Sequence, residues 1–186
     1  LKLGAPTSVE ASSTRVNVET YPVGSMITFY FPARGEMAPV KLVWYDGGLR
    51  PPRPAAIKDG DVMGTNGLLL VGDDDAVLMS DWNSWRMYPE DRAKQYGTPP
   101  ATLPRSAGHH VEWIEACKGG PAAGSNFDWA GPMTETILLG NVALRSQLRE
   151  DLTRTKLKWD AEKLAFSNHN DANRFLQREY RKGWTV

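Results

Sequence analysis

The sequence predicts an α+β fold with an antiparallel β-sheet formed early in the chain and helices formed later. Apolar and polar residues alternate with a period of two in the first third of the chain, which is typical of half-buried strands. From Gly108 onward, apolar residues recur at helical spacing instead. Strands that precede helices without alternating with them favour an antiparallel meander over parallel βαβ units.

The strands are predicted from this alternation. The apolar positions of SMITFYF and of PVKLVWYD each share one face, and they are Ile27, Phe29, Phe31, Val40, Leu42 and Trp44. Val16 and Val18 predict an earlier strand in the same way. The stretch from Gly47 to Gly67, rich in proline and glycine, predicts a long loop. GLLLVG-DDD-AVLM then predicts a hairpin with its aspartates at the turn.

The helices are predicted in the second half. HHVEWIEACK predicts a short helix that ends at Gly119 and Gly120. Pro132 suits the first position of a longer helix whose apolar stripe is Met133, Ile137, Leu138, Val142 and Leu144. Leu157 and Trp159 predict one more short strand. A final helix is predicted from Asn170 as its cap to Gly183 as its stop, with Ala172, Phe175, Leu176 and Tyr180 on one face.

Length and composition restrict the classes of function. The chain has 186 residues, a length typical of one domain, and 41% hydrophobic and 24% charged residues, which is a globular composition. Its 22 basic and 22 acidic residues leave no net charge, so nucleic acid is not favoured as a partner. No apolar run reaches the about 18 residues of a membrane-spanning helix. We expect the chain, which begins at Leu1, to be a processed protein or a piece of a longer one.

Several catalytic and metal-binding motifs are absent from the sequence. The single cysteine, Cys117, excludes an intramolecular disulfide and any multi-cysteine metal site, and its place on an apolar stripe predicts a buried, inert thiol. No two glycines are separated by a single residue, so the G-x-G-x-x-G fingerprint is missing, as are the phosphate-loop lysine motif and the G-x-S-x-G elbow. A Rossmann domain that binds a nucleotide is therefore not predicted within these residues.

The densest group of metal-ligand residue types is His109 and His110 with Glu112 and Glu115. Adjacent histidines point about 100° apart on a helix, and no third ligand is spaced to complete a metal site. We therefore predict no metal and assign His109 and His110 to the lining of a site or to the start of the helix. Asp73, Asp74 and Asp75 are explained by a hairpin turn without a calcium ion.

Four further residues are candidates for contact with a ligand. Trp82 and Trp85 lie in the polar segment DWNSWRMYPEDR, where an indole ring could stack on the apolar face of a sugar. The alternative for both is a place in the core or in a subunit contact. Asn126 and Asp128 lie at the start of a long helix, whose free backbone donors could face a ligand. The alternative for Asn126 and Asp128 is that they only order the turn and cap the helix.

Four segments, GHHVEWIEACKGG, SNFDWAGPMTETILLGNVALR, LKWD and ANRFLQREYRKGW, occur in this order. In that order they resemble the C-terminal domain of Gfo/Idh/MocA oxidoreductases, in the branch common among Bacteroidetes and Planctomycetes-type bacteria. The opening LGAPTSVEAS and the GLLLVGD hairpin are similar to the same branch. The resemblance implies a two-domain parent with an N-terminal Rossmann domain that binds NAD or NADP. It also implies an α+β domain built on a large, mostly antiparallel, open-faced β-sheet, with helices packed on one face and a subunit interface on the other.

The chain departs from the family in what it lacks. The glycine fingerprint, the E-K-P lysine motif and the G-G-x-x-x-D-x-x-x-H motif are all missing, and in the family they lie upstream of the LGAPTSVEA segment. No catalytic or cofactor-binding residue can therefore be carried onto this chain. The segment SQLREDLTRTK, residues 146–156, is longer than the usual turn of the family, and the sequence does not explain it.

The resemblance implies that residues 1–186 are one substrate-binding and oligomerisation domain of an NAD(P)-dependent oxidoreductase that acts on a sugar or polyol. Its expected partners are the missing Rossmann domain, a sugar-like molecule and further copies of the chain, bound through the sheet face. The candidate substrate-binding residues are Trp82, Trp85, His109, His110, Asn126 and Asp128. Two alternatives stay open: a stand-alone carbohydrate-binding or structural module, and the domain of an NAD-dependent glycoside hydrolase. A cytoplasmic and an exported bacterial protein are equally compatible with the sequence.

Overall fold

A computed structural model of the chain describes residues 1–81, 84–148 and 155–184. The described residues form mixed helices and strands, which confirms the predicted α+β class. The chain divides into two compact units, one made of Leu1–Arg50 with Ser106–Val186 and the other of Pro51–Arg105. The strands are β1 (Ser8–Ser13), β2 (Ser25–Phe31), β3 (Val40–Tyr45), β4 (Leu68–Val71), β5 (Val77–Ser80), β6 (Trp85–Tyr88), β7 (Leu157–Asp160) and β8 (Ala165–Phe166). The helices are α1 (Glu90–Tyr96), α2 (His109–Cys117), α3 (Phe127–Ser146) and α4 (Asn170–Asn173).

The first unit is built on a five-stranded antiparallel sheet in the order β3-β2-β1-β7-β8. Helix α3 packs on β1 and β2, and α4 packs on β8. The strands predicted in SMITFYF, PVKLVWYD and LKWD are all confirmed. The buried side chains of this core are Val9, Ala11, Ile27, Phe29, Phe31, Leu139, Val142, Ala143, Leu144, Leu157, Trp159, Phe166 and Ala172.

The strand predicted from Val16 and Val18 is wrong, because the first strand is β1, which ends at Ser13. The side-chain Oδ1 of Asn17 accepts hydrogen bonds from the backbone N–H groups of Glu19 at 2.9 Å and Thr20 at 2.7 Å. An asparagine that bonds the backbone ahead of it in this way holds a turn. The alternation of valines therefore falls in the loop between β1 and β2.

Helix α3 begins five residues before Pro132, so Pro132 is not its first residue as predicted. Asn126 has an extended backbone and caps the helix, because its side chain accepts a hydrogen bond from the N–H of Asp128. Pro132 lies inside the helix and lacks the N–H that would reach the carbonyl of Asp128. The strong cap at Asn126 thus decides where the helix begins.

The long final helix predicted from Asn170 to Gly183 is also wrong, since α4 spans only Asn170–Asn173 and its cap is His169 rather than Asn170. Like charges four residues apart, Arg174 with Arg178 and Arg178 with Lys182, disfavour a helix over this segment. Asn173 instead accepts from the N–H of Phe166 at 2.7 Å and donates to the carbonyl of Phe166 at 3.1 Å. These two bonds fix the end of α4 to β8.

The face of the large sheet opposite its core is mixed and mainly polar. Its positions are Ser8, Glu10 and Ser12 of β1, Met26, Thr28 and Tyr30 of β2, and Lys41, Val43 and Tyr45 of β3. The hydroxyl of Tyr30 donates to the carboxylate of Glu10, and the Lys156 ammonium lies 3.6 Å from the centre of the Tyr30 ring. Its apolar atoms come mainly from Met26, Val43 and the rings of Tyr30 and Tyr45. We refer to this surface as the open sheet face.

The second unit is a three-stranded antiparallel sheet in the order β4-β5-β6, followed by α1. Its small core contains Ile57, Val77 and Tyr88. The predicted hairpin is confirmed as β4 and β5, whereas β6 and α1 were not predicted. The Arg92 guanidinium donates a hydrogen bond to Asp74 and, together with the N–H of Ala76, lowers the pKa of that carboxyl.

Within the described ranges, no helix is both long enough and apolar enough to cross a membrane.

Candidate functional site

The structure divides the predicted site residues between the two units. His109, His110, Asn126 and Asp128 belong to the first unit, and Trp85 belongs to the second. Trp82 lies outside the described residues. The four residues of the first unit lie on two segments, one at the start of α2 and the other at the start of α3.

His109 and His110 are the first two residues of α2, and both are exposed. Their rings lie side by side with centres 4.1 Å apart and planes inclined by 48°. Among the described residues, no three His, Cys, Asp or Glu side chains gather closely enough to hold a metal ion. What the pair offers is two adjacent imidazoles in contact with solvent, each able to donate or accept a hydrogen bond.

Asn126 and Asp128 take up capping positions at the start of α3. Asn126 Oδ1 accepts from the N–H of Asp128 at 3.0 Å, and Asn126 Nδ2 donates to the carbonyl of Ala123 at 3.0 Å. The carboxylate of Asp128 lies in the first helical turn, where the helix dipole favours a negative charge. Asn126 therefore has a structural role as a cap, while the exposed carboxylate of Asp128 is available to a ligand.

The two segments are connected by Glu112. Its Oε2 accepts a hydrogen bond from the backbone N–H of Gly124 at 2.9 Å, and its Oε1 accepts one from the hydroxyl of Ser106. These hydrogen bonds, from Ser106 first and Gly124 second, lower the pKa of the Glu112 carboxyl, with a smaller contribution from the charge of His109. In the sequence, Glu112 stood out only as a possible metal ligand. Its hydrogen-bond partners could not be predicted, because Gly124 reaches the carboxylate only once the loop between α2 and α3 has folded.

We expect the contact between Glu112 and Gly124 to survive mild acid. The pKa of Glu112 is lowered in the folded chain from its ordinary value of 4.5, so the stabilisation is complete above 4.5 and is lost as pH falls through the lowered pKa. In an NMR titration the transition in the chemical shift of the Gly124 amide proton should have its midpoint below pH 4.5. The same signal in Glu112→Gln should show no such transition. A midpoint at or above 4.5 in the unmodified chain contradicts the assignment.

Helix α2 has no buried residue at all. Cys117, predicted as a buried thiol, is exposed, because the apolar stripe of α2 does not face the sheet core. Of the stripe predicted for α3, only Val142 and Leu144 are buried, while its first three residues are exposed. Eight large apolar side chains of the two helices, Val111, Trp113, Ile114, Phe127, Trp129, Met133, Ile137 and Leu138, are exposed. We call these eight residues the exposed apolar set.

Trp85, half exposed, begins β6 and lies opposite Ser80 of β5. Because side chains alternate along a strand, Trp85 and Met87 lie on the face opposite Tyr88 and the small core. Leu68, Leu70 and Leu78 share that face through the strand register. The sequence suggested polar surroundings for Trp85, but in the fold its neighbours on the sheet surface are apolar.

Two shallow cavities lie along β1 and β2. The larger, of about 410 Å³, is lined by Ser12, Ser13, Thr14, Gly24, Met26, Tyr45, Leu49 and Arg50. The smaller, of about 170 Å³, is lined by Glu10, Ala11, Ser12, Met26 and Thr28. Ser12 and Met26 line both. Neither cavity is lined by a predicted site residue. The cavities are therefore shallow depressions along the sheet and do not define the candidate site.

The chain was compared with known protein families and with curated proteins, and neither comparison found a match.

Proposed function

We propose that this chain is the C-terminal substrate-binding and oligomerisation domain of a two-domain NAD(P)-dependent oxidoreductase of the Gfo/Idh/MocA type. The reaction of the parent is hydride transfer between a nicotinamide and a carbon of a sugar or polyol. In this proposal the chain supplies one wall of the substrate site and the subunit contacts, and a separate Rossmann domain supplies the hydride chemistry. The α+β fold and the distributed resemblance of the sequence are its general support.

The observation that carries the proposal is helix α2. An isolated helix shorter than about 12–15 residues is marginal in water, and α2 has nine residues, none of them buried. Yet Val111, Trp113 and Ile114 expose large apolar surfaces on it. Exposed apolar patches of this kind mark interaction sites. A further domain that covers α2 and the first half of α3 would bury them.

The polar residues beside the exposed apolar set suit a substrate wall. Two imidazoles at the start of α2 and the Asp128 carboxylate at the start of α3 can exchange hydrogen bonds with hydroxyl groups. Ligand sites occur preferentially between domains. A sugar bound between this chain and a Rossmann domain would meet these groups on one side.

We propose that the dinucleotide binds the Rossmann domain. Every pairing among the described strands is antiparallel, whereas a pyrophosphate is typically held at a helix N-terminus in a parallel βαβ arrangement. The antiparallel sheets therefore support the assignment of NAD or NADP to the Rossmann domain. The open sheet face is proposed as the contact with a second copy, where Met26 and the shallow cavities would be covered.

Calorimetry and light scattering test the proposal on the chain itself. We expect no heat of binding from NAD or NADP at micromolar chain concentration, and a molar mass above that of one chain in light scattering. Tight binding of either dinucleotide would refute the assignment to the C-terminal half. A monomer at all micromolar concentrations would refute the contact through the open sheet face.

In the gene, we expect the region upstream of Leu1 to encode a strand followed by G-x-G-x-x-G.

The second candidate is a stand-alone carbohydrate-binding module, which is favoured by Trp85. Its ring is half exposed on the apolar face of the small sheet, where a sugar could stack. Titration of the chain with glucose oligosaccharides, followed by the indole signal of Trp85 in NMR, separates the two candidates. A response of Trp85 alone favours the module, whereas a response of His109 and His110 favours the oxidoreductase domain.

A further inference from the structure

One carboxylate joins three segments of the candidate site. Glu112 Oε2 accepts from Gly124 N–H at 2.9 Å, and Glu112 Oε1 accepts from the hydroxyl of Ser106. The oxygen of Ser106 in turn accepts from the N–H of Gly108 at 3.0 Å. The segment before α2, the first turns of α2 and the loop before α3 therefore share one group.

The sequence around Glu112 is suited to this role. Gly108 precedes α2 and offers no capping side chain. The N–H of Gly108 donates to the Ser106 hydroxyl oxygen, which orders the segment just before the helix. A β-carbon on Gly124 would lie 3.2 Å from Glu112 Oε2, closer than most such contacts, so glycine lets the loop approach the carboxylate. A negative charge near the start of α2 is also favoured by the helix dipole.

We propose that Glu112 is a positioning residue, which holds His109 and His110 at a fixed distance from Asp128 in the substrate wall. Since α2 has no buried residue, core packing does not fix the position of its first turn. The hydrogen bonds of Glu112 do so, and they end two residues before the cap Asn126. This inference rests on the proposed function, because it explains how the start of α2 and the start of α3 keep their relative positions in the substrate wall.

Three variants test the role, and a fourth is the control. Glu112→Ala removes both acceptors, and Ser106→Ala removes one contact and leaves the bond to Gly124. Glu112→Gln can still accept from Gly124 with its oxygen and donate to Ser106 with its amide nitrogen. Glu115→Ala, three residues further along α2, removes a carboxylate whose Oε1 forms an ion pair with Lys118 Nζ at 3.1 Å. Circular dichroism verifies that each variant keeps its fold.

The first measurement is hydrogen exchange of the Gly124 amide. We expect exchange about tenfold faster in Glu112→Ala, close to wild type in Glu112→Gln and Glu115→Ala, and intermediate in Ser106→Ala. Equal exchange rates of the Gly124 amide in Glu112→Ala and wild type would overturn the proposal, because the carboxylate would then not hold the loop before α3.

The second measurement is titration with D-glucose, followed by the ring signals of His109 and His110. We expect a saturable shift in wild type, an affinity at least tenfold lower in Glu112→Ala, and rescue in Glu112→Gln. An affinity that is unchanged while Gly124 exchanges faster would overturn the positioning role and leave the proposed function intact. No response to glucose in wild type would refute the substrate wall and with it the positioning role.

Discussion

Gly140→Leu is expected to lower the free energy of unfolding by about 3 kcal/mol, because it separates α3 from the sheet. A β-carbon at Gly140 would lie 3.0 Å from Cζ of Phe29 and 3.2 Å from Cδ1 of Ile27. Both aromatic and aliphatic partners belong to the core of β2, so neither can move away freely. Urea unfolding followed by circular dichroism measures the loss.

Gly131→Ala is the matched control on the same helix. No atom outside the adjoining residues and the helix backbone lies within 4 Å of a β-carbon at Gly131, but the ring of the following Pro132 crowds a β-carbon on helical backbone. The propensity gain of about 0.5–1 kcal/mol is therefore offset, and Gly131→Ala should unfold within about 1 kcal/mol of wild type. Gly140→Leu should be clearly less stable than Gly131→Ala, because its side chain meets Phe29 and Ile27. If Gly140→Leu unfolds at the same urea concentration as wild type, the close crossing of α3 over β2 is refuted.

This crossing matters for the site because α3 carries Asn126 and Asp128 at its other end. The second half of the helix is anchored by buried residues from Leu139 to Ser146, whereas the first half contributes exposed apolar residues. A rigid anchor at one end lets the free end project its cap and its carboxylate toward a ligand or partner. The second half of α3 thus packs on the sheet, and its first half is left to contact a ligand or partner.

The sequence predicted those parts of the fold that depend on local periodicity. The alternation in β2 and β3 was sufficient because one face of each strand is covered by the core. Periodicity gave wrong predictions where an asparagine side chain bonds to the backbone. The residues around Asn17 form a loop despite the alternating valines, and α3 begins after its cap Asn126, before Pro132. Asparagine at a turn or cap is the signal that could have corrected both predictions.

The candidate site was less predictable for a different reason. Periodicity shows that α2 has an apolar side, but not what that side contacts, and here it faces away from the core. Cys117 was expected to be buried on the same assumption. The role of Glu112 depends on Gly124, twelve residues away, which a helical pattern cannot reveal. Contacts between a helix and a distant loop require the folded chain.

Trp113→Ser and Trp129→Ser are each expected to weaken assembly with the proposed Rossmann domain about 30-fold or more. Tryptophan is enriched among residues that cost at least about 2 kcal/mol of binding energy when truncated. Trp113 is 66% exposed and Trp129 is 59% exposed, so both rings have large surfaces to bury. Calorimetry with the separately produced Rossmann domain of the parent measures the dissociation constant.

The control for both variants is Trp85→Ser, in which a ring that is 50% exposed is removed from the other unit. It should leave the dissociation constant unchanged. All three variants alone should unfold within about 0.5 kcal/mol of wild type, as expected for surface positions, so that lost assembly cannot be ascribed to lost folding. If Trp113→Ser and Trp129→Ser bind as tightly as Trp85→Ser, the exposed apolar set is not the contact with the Rossmann domain. The short helix α2 would then need another partner to account for its uncovered apolar side.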